Sequence, residues 1–314
     1  MPIHIRSSSH HAIAGFVLSS LSLTGCSDEP NAASDEPTYI RDIQPLVKAN
    51  CVDYVTGFGV EPGNAAIVHH AIAYVVRPVK VAEFQTLDDA DPEPGWACFG
   101  GPGGTPGQGP PASWIGGWVP GGLGEDFPEG TGIEVPVGAK LIVQMHYNSS
   151  SATPSSDQTK IVLRTDTAVE KKAAIIPFAN IQWLLGGMTI PAHSKDVVHS
   201  YSTDPMTVVN LMTGGALSGS KPLTLHSVGL HMHTLGKRIA TRWDRKDGTS
   251  ECLIDVPRWD FNWQSNYTFR TPKQMAPGDE LYLECQWDNP GSTDVKWGEG
   301  TNDEMCLAPY YVTE

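Results

Sequence analysis

The sequence predicts an all-β protein: two tandem antiparallel β-sandwich domains of jelly-roll character, following a signal peptide and a short linker. Three observations carry that expectation. Gly (32) and Pro (25) are abundant while long stretches of helical periodicity are missing, a pattern of short strands joined by turns. Residues 137–149 (VGAKLIVQMHYNS) align without a gap onto residues 277–289 (PGDELYLECQWDN), each a Gly turn followed by apolar alternation of period two. The match covers apolar, aromatic and polar positions, as two copies of one β-domain require. Finally, 314 residues leave room for two domains of ordinary size.

The elements follow in order. Arg6, an apolar run over residues 12–23 and Leu23-Thr24-Gly25-Cys26 have the order of a secretory signal. The apolar run is too short for a membrane span. The LTGC sequence resembles a bacterial lipobox, which implies cleavage before Cys26, lipidation of its thiol and export as a periplasmic or outer-membrane lipoprotein. Residues 27–38, acidic and polar, read as a flexible tether. Residues 39–52 look like the start of a small c-type haem domain, yet Cys51-Val52-Asp53-Tyr54-Val55 lacks C-x-x-C-H. Residues 26–54 are therefore assigned to the tether and a remnant of such a domain. The two sandwiches are placed at 55–168 and 169–314.

Strand-like runs fall at 66–76, 160–164, 206–212, 223–232 and 310–312, while residues 95–124, dominated by Gly and Pro, read as one long ordered loop. The aromatic run 259–267 reads as core and sheet surface. A net charge of −14 excludes nucleic acid as a partner, since an acidic surface cannot neutralise phosphates. Export makes Cys51, Cys98, Cys252, Cys285 and Cys306 disulfide candidates, and the odd count leaves one unpaired or bonded between chains.

The histidines suggest chemistry. His69-His70 is an adjacent pair in a strand-like run, where neighbours point to opposite faces and share a metal only if the backbone twists. His231 and His233, at i and i+2, present two imidazoles to one face of a strand. His146 stands where the second repeat has Gln286. Met305 follows a Gly-rich turn, and its soft thioether favours copper over zinc or the hard divalent ions. Each has a bland reading, as core histidine, surface polarity or core filler. His193, His199 and His226 have no partner at a ligand spacing and are read as loop or strand-surface residues.

Four motifs in order, VHHAIAY (68–74), QMHY (144–147), HMHTLGK (231–237) and GTNDEMC (300–306), resemble the copper type II ascorbate-dependent monooxygenases. The resemblance implies two coppers per chain facing each other across a cleft. His69, His70 and His146 would hold the electron-storing ion, and His231, His233 and Met305 the ion that meets O₂ and substrate. It further implies ascorbate or another one-electron donor, hydroxylation of a C–H bond of a small-molecule or peptide substrate, and a Cys285–Cys306 disulfide. The peptide-amidating members read the substrate carboxylate with an arginine where this chain has Gly229, and carry Asn and Tyr where it has Leu307 and Pro309. Amidation of glycine-extended peptides is therefore not expected. The rival from another class is a copper-binding surface lipoprotein that turns nothing over.

Overall fold

The computed structural model describes residues 3–7, 53–92, 112–122, 124–147, 156–300 and 302–314, together with 95, 96, 98 and 101–103. Cys26, Cys51 and the tether lie outside them. The described chain is all-β. Its first half contains β1 (Ile3–Ser7), β2 (Asp53–Glu61), β3 (Val68–Val76), helix α1 (Val81–Ala90), β4 (Ala112–Trp118), β5 (Glu125–Asp126), β6 (Thr131–Val135), β7 (Lys140–Tyr147) and β8 (Lys160–Asp166). One layer runs β8–β2–β6, and the other is β3 flanked by β4 and β7. Val55, Phe58, Ile161 and Leu163 from the first layer meet Ala71, Val75, Ile115 and Leu141 from the second in a single buried cluster. β1, which falls inside the expected signal peptide, lies parallel along the edge of β8.

β4 corrects the expectation of one long loop over residues 95–124. Fully burying Ile115 and most of Trp118 contributes about 2 kcal/mol each. That outweighs the roughly 1 kcal/mol that a strand glycine such as Gly116 costs. Gly116 is also required sterically, because a Cβ there would overlap the Phe58 ring.

The second half contains β9 (Lys171–Phe178), β10 (Thr189–Ile190), β11 (Ser194–Thr203), α2 (Met206–Met212), β12 (Leu223–Gly229), β13 (Gly236–Asp244), β14 (Ser250–Val256), β15 (Asn266–Met275), β16 (Glu280–Asn289), β17 (Val295–Lys296) and β18 (Ala308–Thr313). A four-stranded sheet, β11–β16–β13–β14, packs over β9–β18–β12–β15. β16 shows strict alternation, burying Leu281, Leu283, Cys285 and Trp287 on one face.

Residues 206–212 were expected as a strand and form a helix. Pro205 opens it, Asp204 accepts the Met206 N–H at 2.9 Å, and Met206 and Val209, three apart, bury one face. The aligned repeat does resolve into strands: Gly138 (φ +79°) turns the chain into β7 and Gly278 (φ +89°) into β16. Their settings differ. Among the described residues β7 pairs with β3 alone, whereas β16 lies between β11 and β13.

The halves are joined by hydrogen bonds. β9 pairs in parallel with β6 and antiparallel with β18, and Tyr311 of β18 packs in the first half's core. Its hydroxyl shares a hydrogen bond with that of Thr131 at 2.8 Å. Among the described residues no helix is long and apolar enough to cross a membrane.

Candidate metal centre

The adjacent pair His69-His70 begins β3, and its difficulty is resolved by the backbone. The register between β3 and β7 slips between Val68 and His70, and such a bulge re-aims side chains that a regular strand would send to opposite faces. His69 Nδ1 lies 3.2 Å from His70 Nδ1, and His70 Nδ1 lies 3.3 Å from His146 Nδ1. Two nitrogens bound to one ion at about 2.0 Å and a tetrahedral angle stand about 3.3 Å apart. The ligand atoms of all three residues lie within 4.8 Å of one another. Burial strips imidazolium of its hydration, and neighbouring imidazoles repel its charge. Together they lower His69 to about 4 and His70 to about 2, and burial lowers His146. Three neutral imidazoles converging on one point suit copper by donor chemistry and spacing.

His231 and His233 do not lie in a strand, which corrects the sequence expectation. β12 ends at Gly229, and His231 makes only an isolated bridge, its N–H and C=O pairing with Leu307. The two rings nevertheless come together, 5.0 Å between centroids. His231 Nδ1 donates to Gln264 Oε1 at 2.6 Å, and His233 Nδ1 donates to the Asp303 carbonyl at 2.9 Å. With both Nδ1 atoms protonated, each neutral ring keeps Nε2 as its free lone pair. Burial lowers His231 to about 3 and also lowers His233.

Met305 is buried in the turn that runs past this pair, between Glu304, which accepts the His233 N–H, and Leu307, which pairs with His231. Glu304, fully buried, accepts the N–H groups of His233 (2.9 Å) and Leu235 (2.5 Å) and the Trp287 indole N–H (2.9 Å). Burial raises its pKa against those hydrogen bonds. On the other side Cys306 is bonded to Cys285 of β16, as the resemblance implied. The 304–307 turn is thus fastened to the 231–235 segment by Glu304 and Leu307, and to β16 by the disulfide. Two imidazoles and a thioether match a soft, copper-type donor set.

The two sets are near enough for charge on His233 to depress His69 and charge on His231 to depress His70. Gln144, on the same strand as His146, joins the two halves: Tyr74 donates to its Oε1 at 2.7 Å, and its Nε2 donates to Glu299 at 3.3 Å.

Gln264, Phe261 and Glu304 were missed as site residues from sequence. The run 259–267, expected as core and sheet surface, instead reaches the site. His226 is also buried rather than superficial, hydrogen-bonded to Thr313 Oγ1 at 3.0 Å. Among the described residues Cys98 and Cys252 are free thiols, and burial, helped by Glu299, pushes Cys98 up to about 11.

Comparison with known proteins agrees with this chemistry. Residues 177–313 match the family model for the copper type II ascorbate-dependent monooxygenase, C-terminal domain. DBH-like monooxygenase protein 1 of Mus musculus is 27% identical over 198 residues, 61% of this chain and 31% of that protein. DBH-like monooxygenase protein 2 of Mus musculus is 24% identical over 294 residues, 88% of this chain and 43% of that protein. The chain thus spans less than half the length of these relatives. Among solved structures, a two-domain Bacteroides fragilis protein of unknown function aligns with 8% identity and a TM-score of 0.24. The alignment covers 83% of this chain and 94% of that one, and at that score it carries no argument.

Proposed function

We propose that this chain, whose residues 177–313 match the C-terminal domain of the copper type II ascorbate-dependent monooxygenases, is a member of that family and hydroxylates a C–H bond with O₂. Two coppers, one on His69, His70 and His146 and one on His231, His233 and Met305, would serve the reaction. The electrons come from a one-electron donor such as ascorbate. One oxygen atom enters the substrate as hydroxyl and the other leaves as water, for two electrons and two protons. The observation that carries the reading is the pairing of two dissimilar donor sets at close range, a feature that simple copper carriage does not call for.

Bound copper would supply the one-electron steps that O₂ reduction requires. The chain's part is to hold and differentiate the ions. Three imidazoles accept either oxidation state, while the Met305 thioether favours the reduced one. Gln264 and the Asp303 carbonyl fix the tautomers of His231 and His233, keeping their free nitrogens available. A side chain added at Gly229 would meet Pro309 at 3.2 Å. That crowding supports a substrate, small molecule or peptide, not anchored by a carboxylate-reading arginine at this position.

Copper content tests the assignment: two ions per chain, falling to one in His69→Ala and to one in His231→Ala. Ascorbate-dependent O₂ uptake abolished by Met305→Ala supports the enzyme. Full loading without uptake for any C–H donor would leave a copper-binding lipoprotein instead. Export and lipidation at Cys26 rest on residue order alone; loss of lipid labelling in Cys26→Ser tests them.

A further inference from the structure

We propose that Phe261 is a positioning residue, an aromatic wedge that sets the separation of the two metal sites and screens His69 from bulk water. The inference rests on the two-copper reading above. The Phe261 ring stacks on His69 at 5.6 Å between centroids and 24° between planes, and meets His233 edge-on at 6.0 Å and 79°. These are attractive aromatic geometries, and one ring makes both, so it spans the interval between an imidazole of each set.

The turn that carries it is fastened to the segment of the second donor set. Trp259 N–H donates to the Lys237 carbonyl at 2.9 Å, and its indole N–H donates to the His233 carbonyl at 3.1 Å. Gln264 binds His231 through Oε1 and returns its Nε2 to the Phe261 carbonyl at 2.9 Å. Gly236 is needed for this approach, since a Cβ there would stand 2.6 Å from the Trp259 ring. The 259–264 turn is therefore stapled to the His231–His233 segment at both ends, and Phe261 extends from it to His69. A wedge anchored on one site and resting on the other converts movement between the halves into movement between the metals. It carries no polar group and coordinates nothing.

The test uses the full chain loaded with Cu(II) and pulsed dipolar EPR between the two ions. The wild type should give one narrow distance distribution. Phe261→Ala should broaden and shift it while leaving copper stoichiometry and the single-site EPR parameters unchanged. Phe261→Leu, which keeps apolar bulk, should fall between. In metal-free protein, carbethoxylation of His69 should be faster in Phe261→Ala than in wild type, which reads the screening without copper. An unchanged distance distribution in Phe261→Ala, or unchanged His69 reactivity, would overturn the wedge while leaving the two-copper reading intact. A wild type that binds fewer than two ions would overturn both.

Discussion

The Glu304 carboxylate accepts two backbone N–H groups and an indole N–H in a setting closed to water. Removing it orphans all three donors, at about 1–3 kcal/mol each. Glu304→Ala should therefore lose about 3 kcal/mol or more in chemical denaturation, and Glu304→Gln clearly less. Gln264 acts through a single hydrogen bond to His231. Partners of that kind typically alter metal affinity about 10–100-fold. Gln264→Ala should weaken copper at the His231 site by that order and leave the His69 site unchanged in chelator competition; equal weakening at both would contradict the assignment. The histidines were legible because adjacency, HxH spacing and the order of the motifs are local patterns. Gln264 and Glu304 were not, because they meet their histidines from 33 and 71 residues away, and nothing local marks a Gln or Glu for that use.

At the scale of elements, the Met305 turn depends on what β16 holds. The Cys285–Cys306 bond closes a loop of sequence separation 21, for which chain entropy predicts about 3 kcal/mol. Replacing both cysteines by serine should lower stability by about that amount and release one copper of two, read by denaturation and metal analysis. β16 was legible from its alternation and β7 from its Gly turn. α2 was not, because a run of seven residues, five of them apolar, supports either period and tertiary packing decides between them. β4 was hidden by its glycines, and the reason for one of them, Gly116, is the Phe58 ring of another strand. The bulge that brings His69 and His70 together leaves no mark in composition; it was readable only as a requirement of the adjacent pair.

For the whole molecule, Glu134 of β6 ties together the end of β3 and the start of β9, pairing with Arg77 at 3.2 Å and with Lys172. Burial pushes its carboxyl up, but Lys172 and Arg77 outweigh that and hold it below its ordinary value of 4.5. A depressed folded pKa contributes stability above the unfolded value that is lost as pH falls through the folded one. Wild type should therefore exceed Glu134→Gln in stability at neutral pH, by about 1 kcal/mol, and the difference should vanish in acid below pH 4.5. Thermal melts of both across that range would show it; a constant gap would refute it. The two-layer, all-β architecture was legible from repeat and turn composition, whereas the sharing of β9 was not, since sheet order is a long-range property. The Thr131–Tyr311 hydrogen bond spans 180 residues, and it has a consequence for synthesis. A nascent chain emerging N-terminus first has all the strands of its first sandwich long before it has Tyr311. That layer must wait with an aromatic-sized gap in its core, exposed to chaperones and proteases, until translation of β18 supplies the missing ring.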